Sequence, residues 1–368
     1  MTMTATQFLK GLSDNRPVRR EADGSSFLLH CSGGVRAARV DARRELWIIE
    51  PFLIDGVAQA KGVLTRKQLR AIVSDYNLKP IAFEDMGWIG GAYWSGWTPI
   101  IPGKANNSES AAVLWTNIAS KFYEARTGRA TGSDTPSDPL DGQSEEEKLA
   151  GFIGLSLRSM DISVSNIAEF YNEQLVNLLS KGATAGLRVA TTLDQALYSH
   201  VQTFFMHAGA VRDYLAWLIG VRLGLDVDAL NRLGTKLRPP HFAQDSLARE
   251  MKSQGLIVPH STKPSEWVAG GWLKDMGELR NTFVHKRPFG SSFDERWGMT
   301  RPIDADAGLY RYVRPVAGAP SGGPEDILDL VAQQYHLLNQ LFEQMARLTG
   351  YDARYIEITD ADIVAENS

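Results

Sequence analysis

Residues 192–218, TLDQALYSHVQTFFMHAGAVRDYLAWL, decide how the second half of this chain folds. Thr192-Leu193-Asp194-Gln195 opens the stretch with a capping-box pattern, a hydroxyl that can accept from an exposed helix amide and a Gln three residues later that can reach back. Leu193, Leu197, Val201, Phe204, Ala208, Val211, Leu215 and Leu218 then recur at steps of three and four, which is one long buried stripe on a helix. A membrane span is not expected, because Phe204 to Leu225 carries His207, Arg212, Asp213 and Arg222, charges that are costly in hydrocarbon.

Outward from this helix the pattern repeats. Gly323-Pro324 marks the start and Gly350 the end of a second long helix, with Ile327, Val331, Leu338, Leu341, Met345 and Leu348 on one face. Helices near Ile162 to Leu179 and Trp267 to His285 complete an expected bundle. An irregular insertion, 289–321, interrupts it and contains Leu309-Tyr310-Arg311-Tyr312-Val313, a short strand candidate. No repeat of fixed period is present, which disfavours a solenoid.

The amino-terminal part reads differently. Ser26 to Cys31, Val35 to Val40 and Leu46 to Ile49 are short β-type runs, followed by a helix at Thr65 to Tyr76. Gly87 to Trp97 mixes glycine with aromatic residues, the composition of tight turns with aromatic anchors; those rings could pack in a core or stack on nucleobases. It lacks a Gly-Lys-Ser/Thr ending, so a P-loop is excluded. A helix at about 109–126 leads into Gly-, Ser-, Pro- and acid-rich sequence. The expected organisation is therefore α+β overall: a small mixed α/β domain with a trailing helix at 1–126, a linker at 127–147, a mainly α bundle at 148–351 and a tail at 352–368.

Composition narrows the function classes. With 43% apolar and 22% charged residues the 368-residue chain can bury a sizeable core, and its net charge of −4 disfavours broad wrapping of nucleic acid. The first 44 residues hold eight basic and four acidic side chains, including Arg36, Arg39, Arg43 and Arg44, either a solvated surface or a local nucleic-acid patch. Cys31 is the only cysteine, which precludes an intrachain disulfide and a cysteine-based zinc cluster. Met1 to Leu12 lacks the pattern of a secretory signal, so a cytoplasmic location is expected. No nucleophile elbow is present, and the acidic residues form no recognisable metal cluster, so neither a metal nor another cofactor is expected. His200 and His207, seven apart on one helix, lie about 10 Å apart along its axis, too far to share an ion.

The chemistry concentrates in Glu278-Leu279-Arg280-Asn281-Thr282-Phe283-Val284-His285. An imidazole with a pKa near about 6.5 can take a proton from a ribose 2′-OH or give one to a departing 5′-oxygen at neutral pH. Arg280 offers a planar, permanently charged fork for a phosphate as negative charge builds, and Asn281 can bond the phosphate or orient the imidazole. On a regular helix, however, Arg280 and His285 stand about 140° apart, so one protomer alone presents an imperfect site. Lys286 and Arg287 follow and are either flanking phosphate contacts or ordinary surface charges. The competing structural reading pairs Arg280 with Glu278 or Asp275 and leaves His285 as a helix-end residue.

Leu279 to His285 resembles the Arg-x4-His signature of the HEPN superfamily, helical bundles named from nucleotide-binding proteins of higher eukaryotes and prokaryotes, and Asn281 matches the polar residue after the arginine. Phe204 to Ala216 is similar to the aromatic-rich helix of several bacterial HEPN families, and the resemblance spans roughly Ile162 to Tyr351. The amino-terminal part resembles no family. The resemblance implies a four- or five-helix bundle and a homodimer in which two motifs face a shared cleft. It also implies a metal-independent endoribonuclease, with Arg280, Asn281 and His285 catalytic and Lys286 and Arg287 binding RNA. Internal attack by the 2′-OH would leave 2′,3′-cyclic phosphate and 5′-hydroxyl ends. A toxin or defence effector with an antitoxin or sensor partner fits that reading. The alternative is a non-catalytic HEPN-like module that binds a nucleotide, RNA or a protein partner.

Overall fold

The protein is described by a computed structural model covering residues 14–17, 26–41, 43–89, 92–101, 110–127, 142–183, 186–317 and 325–353. Helices and antiparallel sheet coexist, so the chain is α+β. Packing divides it into two compact units built from non-consecutive stretches: 1–108 with 159–206 and 281–337, and 109–158 with 207–280 and 338–368. The sequence suggests consecutive blocks instead, with a linker whose centre, 128–141, lies outside the described residues.

The first unit is organised by a nine-stranded antiparallel sheet. Strands β1 (Asp14–Pro17), β2 (Ser26–Cys31), β3 (Arg36–Asp41), β4 (Leu46–Ile54), β5 (Val57–Thr65), β6 (Pro80–Ile89) and β7 (Ala92–Pro99) lie in the order β1-β5-β4-β3-β2-β6-β7. The expected helix after β5 is α1 (Arg66–Asp75); Thr65 accepts from the Gln68 amide while the Gln68 side chain returns to the Thr65 amide. Most of the Gly- and aromatic-rich run lies in the antiparallel pair β6–β7, with Glu84 opposite Trp97, and its centre, 90–91, lies outside the described residues. Aromatic residues fit such a pleated surface.

The expected strand in the insertion is also present. Strands β10 (Met299–Asp304) and β11 (Leu309–Val313) pair with each other, and Leu309 pairs with Phe52 of β4, so the insertion extends the amino-terminal sheet. The ladder of β4 is interrupted between Ile49 and Phe52, where Pro51 has no amide to donate. Behind the sheet lies an almost fully buried ionic network. Arg314 donates to Asp194 at 2.6 Å and to the Tyr312 hydroxyl at 2.9 Å, and the Tyr171 hydroxyl donates to Asp326 at 2.9 Å. Burial and the neighbouring Asp329 carboxylate push the Asp326 carboxyl up to about 6.

Three long helices run through both units: α3 (Glu145–Ser180), α4 (Asp194–Leu223) and α9 (Ile327–Leu348). Helix α3 begins well before Ile162 because Glu145, Glu146 and Glu147, read in the sequence as linker, occupy its first turn, where carboxylates favour the helix dipole. The second unit adds α2 (Ala111–Thr127), short helices α5 (Leu230–Lys236), α6 (His241–Gln244) and α7 (Ser246–Ser253), and the ribbon β8 (Ile257–Pro259) with β9 (Trp267–Ala269). The helix expected from Trp267 therefore starts only at Gly271, as α8 (Gly271–Arg280). In its core Trp115 of α2 donates to the Phe342 carbonyl at 2.9 Å. No helix among the described residues is long and apolar enough to cross a membrane.

Candidate functional site

Helix α8 does not continue as an α-helix through the motif. From Asn281 to Lys286 the backbone widens into a π turn, and the Arg287 amide reaches back five residues to the Thr282 carbonyl at 2.7 Å. Such turns are rare and concentrate at functional positions. Within this turn Phe283 is buried and meets Phe205 at 5.0 Å and Phe289 at 6.1 Å, while Tyr198 meets Phe289 at 5.7 Å. With Phe283 anchored in this aromatic row, Asn281, His285 and Lys286 are left exposed to solvent.

The wider turn also changes the azimuth. A π turn closes after five residues rather than four, so Asn281 to Lys286 do not follow the spacing of about 100° per residue of a regular α-helix.

Each end of the motif is held within its own unit. Arg280, half-buried, lies over Gly209 of α4: a Cβ at Gly209 would stand 2.9 Å from Nε, 3.1 Å from Cγ and 3.3 Å from Cδ of Arg280. The relation is reciprocal, since a Cβ at Gly277 of α8 would collide with the Arg212 guanidinium. Gly209-x-x-Arg212 on one helix thus interlocks with Gly277-x-x-Arg280 on the other, each glycine making room for the other helix's arginine. This pairing was not read from the sequence, although identical Gly-x-x-Arg spacing is its signal. Glu278 pairs with Lys274 at 3.7 Å.

Lys286 and Arg287, expected together as phosphate contacts, separate in the fold. Lys286 is exposed, whereas Arg287 is bound to the fully buried Glu295 at 2.8 Å and to the Ala317 carbonyl. Glu295 also accepts from the Gly290 amide at 3.1 Å and the Ala317 amide at 3.0 Å, so this pair organises the segment that follows the motif. That segment closes one side of a cleft of about 630 Å³, beginning three residues after His285 and lined by Gln195, Tyr198, Gln202, Pro288, Ser291 and Arg296. Its size and its amide, hydroxyl and guanidinium groups suit a nucleotide. Burial pushes the Tyr198 phenol up, which keeps it a neutral donor. Burial lowers both His200 and His207.

A second polar cluster, on the sheet, has no counterpart in the sequence reading. Arg36, read there as part of a basic surface, is buried and donates to Glu50 at 2.6 Å and to Glu169 of α3 at 3.3 Å. His30 stands opposite Arg36 in the β2–β3 register, its Nε2 at 2.9 Å from Glu84 and its Nδ1 at 3.7 Å from Glu169. These positions are distant in sequence, so only strand order brings them together. Cys31 beside them is buried, its thiol pushed up to about 12 by desolvation, so it is a poor nucleophile.

No family model matches the chain, and neither a curated protein nor a solved structure matches it.

Proposed function

We propose that the chain is a HEPN-type endoribonuclease that cleaves RNA without a metal, with His285 as acid–base, Arg280 as phosphate clamp and Asn281 as the amide that orients one or the other. The observation that carries this reading is the π turn, which presents Asn281 and His285 to solvent. The cleft lined by Pro288, three residues after His285 in the chain, supports it by offering room for a nucleotide. Lys286 is the flanking cation; Arg287 acts through the loop it ties down.

In the proposed reaction an imidazole removes the 2′-OH proton, the 2′-oxygen bonds to phosphorus, and the P–O5′ bond breaks. The leaving 5′-oxygen takes a proton from an imidazolium. Arg280 neutralises charge on the non-bridging oxygens. One imidazole cannot be base and acid at the same instant, so a homodimer that brings two motifs to one cleft fits the chemistry. Its place would be the cytoplasm, as a toxin or defence effector held by an antitoxin or sensor.

The test is a cleavage assay in EDTA. RNA should yield 2′,3′-cyclic phosphate and 5′-hydroxyl ends, an all-deoxy analogue should stay intact, and Arg280→Ala and His285→Ala should fold yet lose activity. Retained RNA binding with no cleavage by the unaltered protein would favour the non-catalytic module instead.

A further inference from the structure

We propose that His30, Glu84 and Glu169 form a binding site for a divalent first-row transition-metal ion, separate from the Arg280–His285 motif. Each offers one ligand atom, and these atoms all lie within 4.8 Å of one another. Bonds of about 2.0–2.2 Å to such an ion place tetrahedral ligands about 3.3–3.6 Å apart. Glu84 lies 2.9 Å from Nε2 of His30 and Glu169 lies 3.7 Å from its Nδ1, and with one ring nitrogen as ligand the three atoms stay within 4.8 Å, so small side-chain shifts bring them round one ion. One imidazole with two carboxylates suits zinc or manganese, whereas magnesium and calcium prefer all-oxygen sites.

The ligands sit on rigid elements. His30 is on β2, Glu84 on the adjacent β6, and Glu169 on helix α3. In the register Leu28 faces Glu84 and His30 faces Ala82, so the two ligands are diagonal neighbours on one face of the sheet. Trp97, opposite Glu84 on β7, packs on the His30 ring at 5.0 Å and donates to Tyr335 at 3.1 Å, which fixes the imidazole plane. Arg36 grips Glu169 and Glu50 together, the kind of outer partner that orients a ligating carboxylate.

Burial and charge argue in the same direction. His30 is 2% exposed and Glu84 8%, whereas the Glu169 side chain is 35% exposed, so two ligands are enclosed and the third borders the way in. Arg36 is one cation against three carboxylates, Glu50, Glu84 and Glu169, and a divalent ion between Glu84 and Glu169 supplies the balancing charge. Binding replaces the His30–Glu84 hydrogen bond with bonds from both side chains to the ion.

The experiment uses the full chain, stripped with EDTA and dialysed. Zn²⁺ is titrated by calorimetry, and Co²⁺ by visible absorption. The expected result is one Zn²⁺ site per chain and a Co²⁺ d–d band. His30→Ala and Glu84→Gln should abolish both. Should either variant fail to fold, Glu169→Gln, at the exposed edge, must still weaken binding at least tenfold while melting like the parent. No binding, or binding unchanged in folded Glu84→Gln or Glu169→Gln, overturns the proposal and leaves a simple ion pair.

Discussion

Gly209 leaves room on α4 for the stem of Arg280, and this one absent methyl sets where the guanidinium can stand. In Gly209→Ala the added carbon would lie 2.9 Å from Arg280 Nε, so the side chain must shift by a few tenths of an ångström or more. Helix propensity favours alanine over glycine by roughly 1 kcal/mol in a helix interior, so the melting temperature should hold or rise. Cleavage should nevertheless fall, by up to about 100-fold, because misplacing a catalytic group by about 1 Å has that effect. Equal activity with equal stability would show that the position of Arg280 does not matter to the reaction. Arg280 and His285 themselves were legible in the sequence as residue types at a telling spacing. The seat of Arg280 was not, because Gly209 and Arg280 belong to helices far apart in the chain.

The elements around the motif carry separate expectations. Glu295 accepts from Arg287, Gly290 and Ala317 while fully buried, so Glu295→Ala leaves the Arg287 guanidinium without its carboxylate and two amides without acceptors. With Arg287 partly exposed, the loss comes mainly from the two orphaned amides and costs about 2–4 kcal/mol, measurable by urea unfolding; a loss under about 1 kcal/mol would contradict the role given to Glu295. The Asp326 carboxyl, raised to about 6 from 3.8, is held preferentially protonated by the fold. For an acid shifted upward, the associated stability is fully present below about 3.8 and is lost as pH rises through about 6. Carboxyl ¹³C chemical shifts should therefore show Asp326 titrating near 6, and an ordinary carboxylate midpoint would refute the burial argument. At this scale most helices were legible from apolar spacing, including Arg66–Asp75 and Ile327–Leu348. The π turn was not: one extra residue in a single turn leaves no periodic trace across six positions. The first turn of α3 was missed because three adjacent glutamates look like solvated linker until a helix dipole is there to receive them.

For the whole molecule, the α+β class followed from β-type runs preceding helical spacing, and both kinds of element are present. How the stretches assemble did not follow. Residues 309–313 join a sheet begun near residue 14, and Glu169 of a central helix meets His30 and Arg36 of the sheet. Such pairings depend on non-local strand order, which alternating polarity in any one segment does not encode. For the same reason the His30–Glu84–Glu169 cluster is not legible in the sequence: its members are an ordinary histidine and two ordinary glutamates until β2, β6 and α3 are adjacent.

The decisive experiment follows a 5′-labelled RNA and its all-deoxy counterpart in EDTA, with the parent chain and folded His285→Ala compared side by side. The parent should cut only the RNA, leaving 2′,3′-cyclic phosphate ends, and His285→Ala should cut at least about 100-fold more slowly. Cleavage of the all-deoxy strand, or undiminished cleavage by His285→Ala, would contradict the proposed chemistry.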